Sequence, residues 1–186
     1  MQDHRPIRAT YADVLAAPPN MVAELFDGVL STMARPRPRH ASFSSGLGVV
    51  LGGPFMFGIG GPGGWRIIDE PELHLGGDVA VPDIAGWRLE RMPKLPETAW
   101  FDLPPDWVCE VLSPSTRRLD QGIKREVYAR HGIAHLWHVD PEDRLLEVFE
   151  LTGGKWLLWK TYTDDAEVVA PPFAAVPFQL GVLWAE

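Results

Sequence analysis

The run Trp107-Val108-Cys109-Glu110-Val111-Leu112 is apolar except for one carboxylate. A short apolar run of this kind reads as a buried strand, so the fold must contain a sheet able to cover it. Strand alternation puts Val108, Glu110 and Leu112 on one face and Trp107, Cys109 and Val111 on the other. Glu110 therefore shares its face with apolar neighbours, where a charge is costly unless it is paired or bound to a metal. A second strand-like run, Val79 to Ala85, carries another lone carboxylate, Asp83. Pro82, just before it, blocks one ladder hydrogen bond and suits an edge, a bulge or a strand end. Taken singly, each carboxylate is a partner for an arginine or a cap for backbone amides. Taken together, and followed by a helix-like stretch bearing Lys124, they point to a site for a divalent cation.

The rest of the chain reads as a mixed α/β (α+β) fold: a central sheet with about three helices, in a single domain over residues 1–186. Thr10 caps a short helix, Tyr11 to Ala16, ended by Pro18-Pro19. Met21 to Leu25 and Val29 to Met33 flank Asp27-Gly28, a strong hairpin signal. A second helix is expected from Arg39-His40 to Leu51, stopping before Gly52-Gly53-Pro54. Trp65 to Ile68 and Val79 to Trp87 read as strands, and a proline-rich connection, Met92 to Pro105, leads to Trp107. Ser115 or Thr116 opens a helix to Arg130, closed by His131-Gly132. Four more strands are expected: Ala134 to Val139, Arg144 to Glu150, Lys155 to Tyr162 and Val176 to Leu180. The second and third of these are joined by a turn at Thr152-Gly153-Gly154.

Composition narrows the function classes. Charged residues at 23% and a single cysteine, Cys109, fit a globular protein of a reducing, cytoplasmic compartment. The polar start Met1-Gln2-Asp3-His4-Arg5 has no apolar core of a signal peptide. No charged residue occurs from Ala41 to Trp65, a length comparable with the about 20 residues of a spanning helix. Its glycines, Pro54 and Pro62 make it a short amphipathic helix and a loop instead, so membrane insertion is not expected. Gly58, Gly60 and Gly63 match a dinucleotide spacing, but Pro62 interrupts them and no helix follows. A net charge of −8 argues against non-specific phosphate attraction, although a local basic patch can coexist with a negative total.

Several segments occur in an order that carries a resemblance. They are Glu24-Leu25-Phe26-Asp27-Gly28, Val81-Pro82-Asp83, Glu110-Val111-Leu112-Ser113-Pro114-Ser115-Thr116, Asp120 with Lys124 and Tyr128, and Leu136-Trp137-His138-Val139-Asp140. The chain resembles the Uma-type "putative restriction endonuclease" family, a branch of the PD-(D/E)XK nuclease superfamily, from about Tyr11 to Leu151. The resemblance implies a restriction-endonuclease-like core and hydrolysis of DNA. It implies that Asp83 and Glu110 bind magnesium, with manganese as a substitute, and that Glu24 adds a further acidic position. The wider superfamily carries its lysine two residues after the acid, where this chain has Leu112. The resemblance places the lysine on the next helix instead, at Lys124, with Asp120 and Tyr128 on the same face. Such a lysine would orient or help deprotonate the attacking water.

The bland alternatives are concrete. Lys124 and Asp120 could be an exposed i,i+4 pair worth about 0.3 kcal/mol. Arg117 and Arg118 could contact phosphate or form a solvated face; for Arg125 the solvated face is the expectation. His135 and His138, three apart on a strand, point to opposite faces and make no zinc pair. His40 begins a helix and could face the cleft, with a surface or capping role as the expectation. A double-strand cut needs two sites, so a homodimer is expected, with the tryptophan-bearing C-terminal strands as its interface. The main competing reading is a catalytically inactive interaction or regulatory module of the same fold, suggested by Leu112 and the acidic charge. A third is hydrolysis of another phosphoester by the same site.

Overall fold

The computed structural model describes residues 8–184; the N-terminal Met1 to Arg5 segment lies outside them. The chain opens with α1 (Tyr11–Leu15), capped by Thr10 and Asp13 in a capping box, and continues into the hairpin β1 (Met21–Phe26) and β2 (Val29–Ala34). Asp27 and Gly28 both have positive φ, 51° and 80°. That backbone matches the twist of a tight antiparallel hairpin. Next comes α2 (Pro38–Leu51), with Pro38 in its first turn.

The sequence predicts that α2 stops at Leu51, before Gly52-Gly53-Pro54, but the helix widens into a π turn over Gly52–Met56. There the Phe57 amide donates to the Gly52 carbonyl at 3.0 Å. The longer reach of this turn absorbs Pro54, which has no N–H to give. Phe55 is thereby carried into the core.

The second half of the chain builds the main sheet. After β3 (Trp65–Asp69) come β4 (Leu73–Leu75), β5 (Asp78–Ala80), β6 (Ile84–Arg88) and β7 (Trp107–Val111). The expected single strand from Val79 to Trp87 is thus two strands in two sheets. Pro82 supplies no ladder donor, and the chain crosses at Val81-Pro82-Asp83 from one sheet to the other. The smaller sheet has the order β2-β1-β5-β4.

The helical region after β7 is less regular than the sequence suggested. It consists of α3 (Arg117–Leu119), a π turn (Asp120–Lys124) and α4 (Arg125–Arg130). Gly122 breaks the helix with φ −105° and ψ −110°. Strands β8 (His135–Asp140), β9 (Leu145–Thr152) and β10 (Lys155–Thr163) then complete a six-stranded sheet of order β10-β9-β8-β7-β6-β3. Only β7 and β8 are parallel there, because α3 and α4 provide the crossover a parallel pair requires. The last expected strand shrinks to β12 (Phe178–Gln179) beside β11 (Glu167–Val168), since Pro177 cannot join a ladder.

The main sheet has an apolar core on each side. Trp107, Cys109 and Val111 of β7 pack with Phe43, Leu47 and Leu51 of α2. Val108 faces the other way, with Leu136 of β8 and Val127 and Tyr128 of α4. The alternation read from the sequence therefore holds, and it turns Glu110 toward α4. Among the described residues, no helix is long and apolar enough to cross a membrane.

Candidate metal-assisted active site

Glu110 is 1% exposed, and two groups from the following helical region meet it. Lys124 Nζ lies 2.9 Å from its Oε1, and the Tyr128 hydroxyl donates to the same oxygen at 2.5 Å. Lys124 is itself buried at 2% exposure. Its Nζ also lies 3.1 Å from Glu24 Oε1 and 3.4 Å from Asp120 Oδ1. One ammonium thus holds three buried carboxylates. The i,i+4 spacing of Asp120 and Lys124 survives the π turn, but the pair is buried rather than exposed.

Glu24 explains why β1 and β5 sit against this cluster. The Val81 N–H donates to Glu24 Oε1 at 2.7 Å, while Lys124 reaches the Val81 carbonyl at 3.4 Å. The interrupted strand therefore offers its backbone groups to the site. The second oxygen of Glu24 is buried with no hydrogen-bond partner.

Asp83 stands at the same crossover and opens on a cleft of about 570 Å³, bordered also by Glu110, Lys124, Asp120 and Leu112. Its Oδ2 accepts the Val111 N–H at 2.6 Å, and its Oδ1 lies 3.2 Å from His40 Nε2. Of the two positions open to His40, the structure takes the cleft-facing one rather than a surface or capping one, because α2 begins there. No sequence spacing relates His40 to Asp83; only the packing of α2 on the sheet brings them together.

Charge is unevenly balanced here. Asp83, Glu24, Glu110 and Asp120 contribute four carboxylates against Lys124 and His40. Burial pushes the carboxyls of Glu24, Glu110 and Asp120 above their ordinary range, with Lys124 opposing the rise. Burial alone would lower the Lys124 pKa, but Glu110 and Glu24 hold it well above the usual lysine range. The lysine is therefore a fixed ammonium. Burial also works against protonation of His40, and Asp83 outweighs it to leave the pKa raised.

The arginines separate. Arg117 pairs with Asp140, and Arg118 is exposed away from the cleft. Arg125, expected to be solvated, lays its guanidinium 4.4 Å from the centre of the Phe149 ring. Three arginines that the sequence reading passed over, Arg35, Arg37 and Arg39, border the cleft. Their alternation with Pro36 and Pro38 was the available signal.

The profile of the Uma2 family, described as "Putative restriction endonuclease", matches residues 9–182. The chain belongs to the Uma2 family. Among solved structures, this Uma2 chain is similar to one titled a putative nuclease belonging to DUF820 from Anabaena variabilis ATCC 29413. The two are 22% identical with a TM-score of 0.75, over 94% of this chain and 97% of that one. At that identity the likeness shows a shared fold. No curated protein matches the chain significantly.

Among the described residues, no three His, Cys, Asp or Glu side chains form a ready metal cage. Asp83 and Glu110 still fit magnesium, which keeps several waters and takes one or two carboxylates. The surplus of buried carboxylates and the orphan oxygen of Glu24 are what a nearby cation would offset.

Proposed function

We propose that the protein is a magnesium-dependent DNA endonuclease of the PD-(D/E)XK type, with Asp83 and Glu110 holding the cation. The observation that carries this reading is the single buried ammonium of Lys124 shared by Glu110, Glu24 and Asp120 at the floor of a cleft. A bound divalent cation would supply Lewis-acid polarisation of the phosphoryl oxygen and neutralise developing charge.

The chain's own groups have distinct parts. The Lys124 ammonium is held protonated, so it does not accept a proton from water. It orients the attacking water and stabilises negative charge as the phosphate is attacked. Glu24 and Asp120 fix the lysine, and Tyr128 fixes the Glu110 carboxylate; Glu24, fully buried, acts through Lys124. The His40 contact and the Val111 amide orient Asp83. Leu112, where the superfamily's lysine would stand, borders the cleft as an apolar wall, and Lys124 reaches Glu110 from the helical side instead.

Two copies would cut both strands. Their pairing is proposed through the outer strand β10, which exposes Leu157, Leu158 and Trp159; sedimentation showing only monomer at micromolar concentration removes this part. The main test is plasmid cleavage with magnesium or manganese by wild type, Asp83→Ala and Glu110→Ala. Cleavage by wild type alone supports the reading. Absent wild-type activity, or activity surviving both substitutions, overturns it and favours the inactive module.

A further inference from the structure

The segment joining β2 to α2 reads Arg35-Pro36-Arg37-Pro38-Arg39, and all three arginines are exposed and border the cleft. Each proline fixes its own φ and biases the preceding residue toward extended backbone. Arg37 is extended accordingly, with φ −70° and ψ 157°. Arg37 closes this extended stretch as the N-cap of α2, and Arg39 follows two residues on, in the first turn of the helix. Both side chains are thus held at the rim of the cleft where the extended segment turns into the helix.

Their ionic partners differ. Arg35 is bridged to Glu70 at 3.2 Å, which pins the start of the segment. Among the described residues, no carboxylate lies within ion-pair distance of Arg37 or Arg39. The cleft floor explains the need for such groups. It carries Asp83, Glu110 and Asp120 in a protein of net charge −8, so a phosphodiester approaching it meets repulsion unless cations line the entry. α2 also begins beside these arginines with no acidic residue in its first turn, so its N-terminal dipole adds to the same positive edge.

We propose that Arg37 and Arg39 form a track for successive phosphates of one DNA strand, leading it to the Asp83–Glu110 carboxylates. The proposal rests on the nuclease reading for its substrate, but it concerns binding, so it is measured without cleavage. The assay is fluorescence anisotropy of a labelled DNA duplex in EDTA, titrated across about 50–200 mM salt. Each phosphate contact contributes about one to the slope of log affinity against log salt. Arg37→Ala and Arg39→Ala should each lower that slope by about one, and the double variant by about two. Lys94→Ala with Arg118→Ala, both exposed and outside the cleft, removes the same charge elsewhere and should leave it unchanged.

An unchanged slope in the Arg37→Ala/Arg39→Ala double variant overturns the track, as does a slope lowered equally by the control pair or wild type that binds no DNA. The two readings fail separately. Arginine-dependent binding without metal-dependent cleavage leaves the track standing and sinks hydrolysis. Cleavage that needs Asp83 but binding indifferent to both arginines does the reverse.

Discussion

Replacing Lys124 with methionine is the sharpest test of the buried cluster. Methionine keeps the apolar stem and removes the charge that Glu110, Glu24 and Asp120 share at 2.9, 3.1 and 3.4 Å. Breaking a buried ion pair from one side costs about 3–5 kcal/mol, because the remaining charge is left uncompensated. For a chain of this size that lowers Tm by roughly 6–20 °C. An exposed i,i+4 pair would lose only about 0.3 kcal/mol, so the two pictures differ by about tenfold.

The loss should also depend on pH. Burial already raises the Glu110 and Glu24 carboxyls and Lys124 opposes it, so removing the lysine raises them further. A carboxyl whose folded pKa lies above its unfolded one binds more protons when folded, and stability then falls as pH rises through that interval. The deficit of Lys124→Met relative to wild type should therefore be largest near neutrality and shrink toward about pH 5. Urea unfolding followed by tryptophan fluorescence reads this directly, since Trp87, Trp107 and Trp137 are fully buried. Adding Glu110→Gln to the variant should recover part of the loss. A deficit below about 1 kcal/mol at neutral pH, the range of exposed pairs, refutes the argument. So does one that does not change between the two pH values.

Two further outcomes follow from the same structure. Magnesium at about a hundred times its dissociation constant should stabilise wild type by about 2.7 kcal/mol and leave the Asp83→Ala/Glu110→Ala double variant unmoved in scanning calorimetry; equal shifts in both would count against these ligands. His138 is buried with both ring nitrogens unpartnered, and burial, with Arg125 and Lys124 nearby, pushes its pKa down to about 3. A histidine depressed in the folded state stabilises above its unfolded pKa and loses that contribution as pH falls from about 6.5 toward 3, so wild type should lose about 2 kcal/mol by pH 5. His138→Leu should remove that acid sensitivity, and identical acid unfolding of the two proteins would contradict it.

Strands whose apolar period is continuous, above all β7, are legible along the chain, and with them the face on which Glu110 lies. Asp27-Gly28 and Gly153-Gly154 fixed their hairpins because few other residues adopt positive φ there. The ordered segments around Glu24, Asp83, Glu110 and Lys124 also made the family legible. Local signals failed where long-range packing overrode them: Gly52-Gly53-Pro54 stayed helical as a π turn, and the run from Val79 to Trp87 split between two sheets. The three-residue β4 was too short to show a period at all.

The surroundings of the carboxylates are set by packing between distant segments. Lys124 and Asp120 look like a solvent pair along the chain, and become a buried cluster when β1 and the Val81-Pro82-Asp83 crossover close over them. His40 and the arginines of the segment Arg35 to Arg39 reach the cleft because α2 starts beside it. Sequence encodes period and turn chemistry, which act over a few residues. The environment of a charge depends on which distant elements exclude water from it, and that is settled only when the sheets and helices pack.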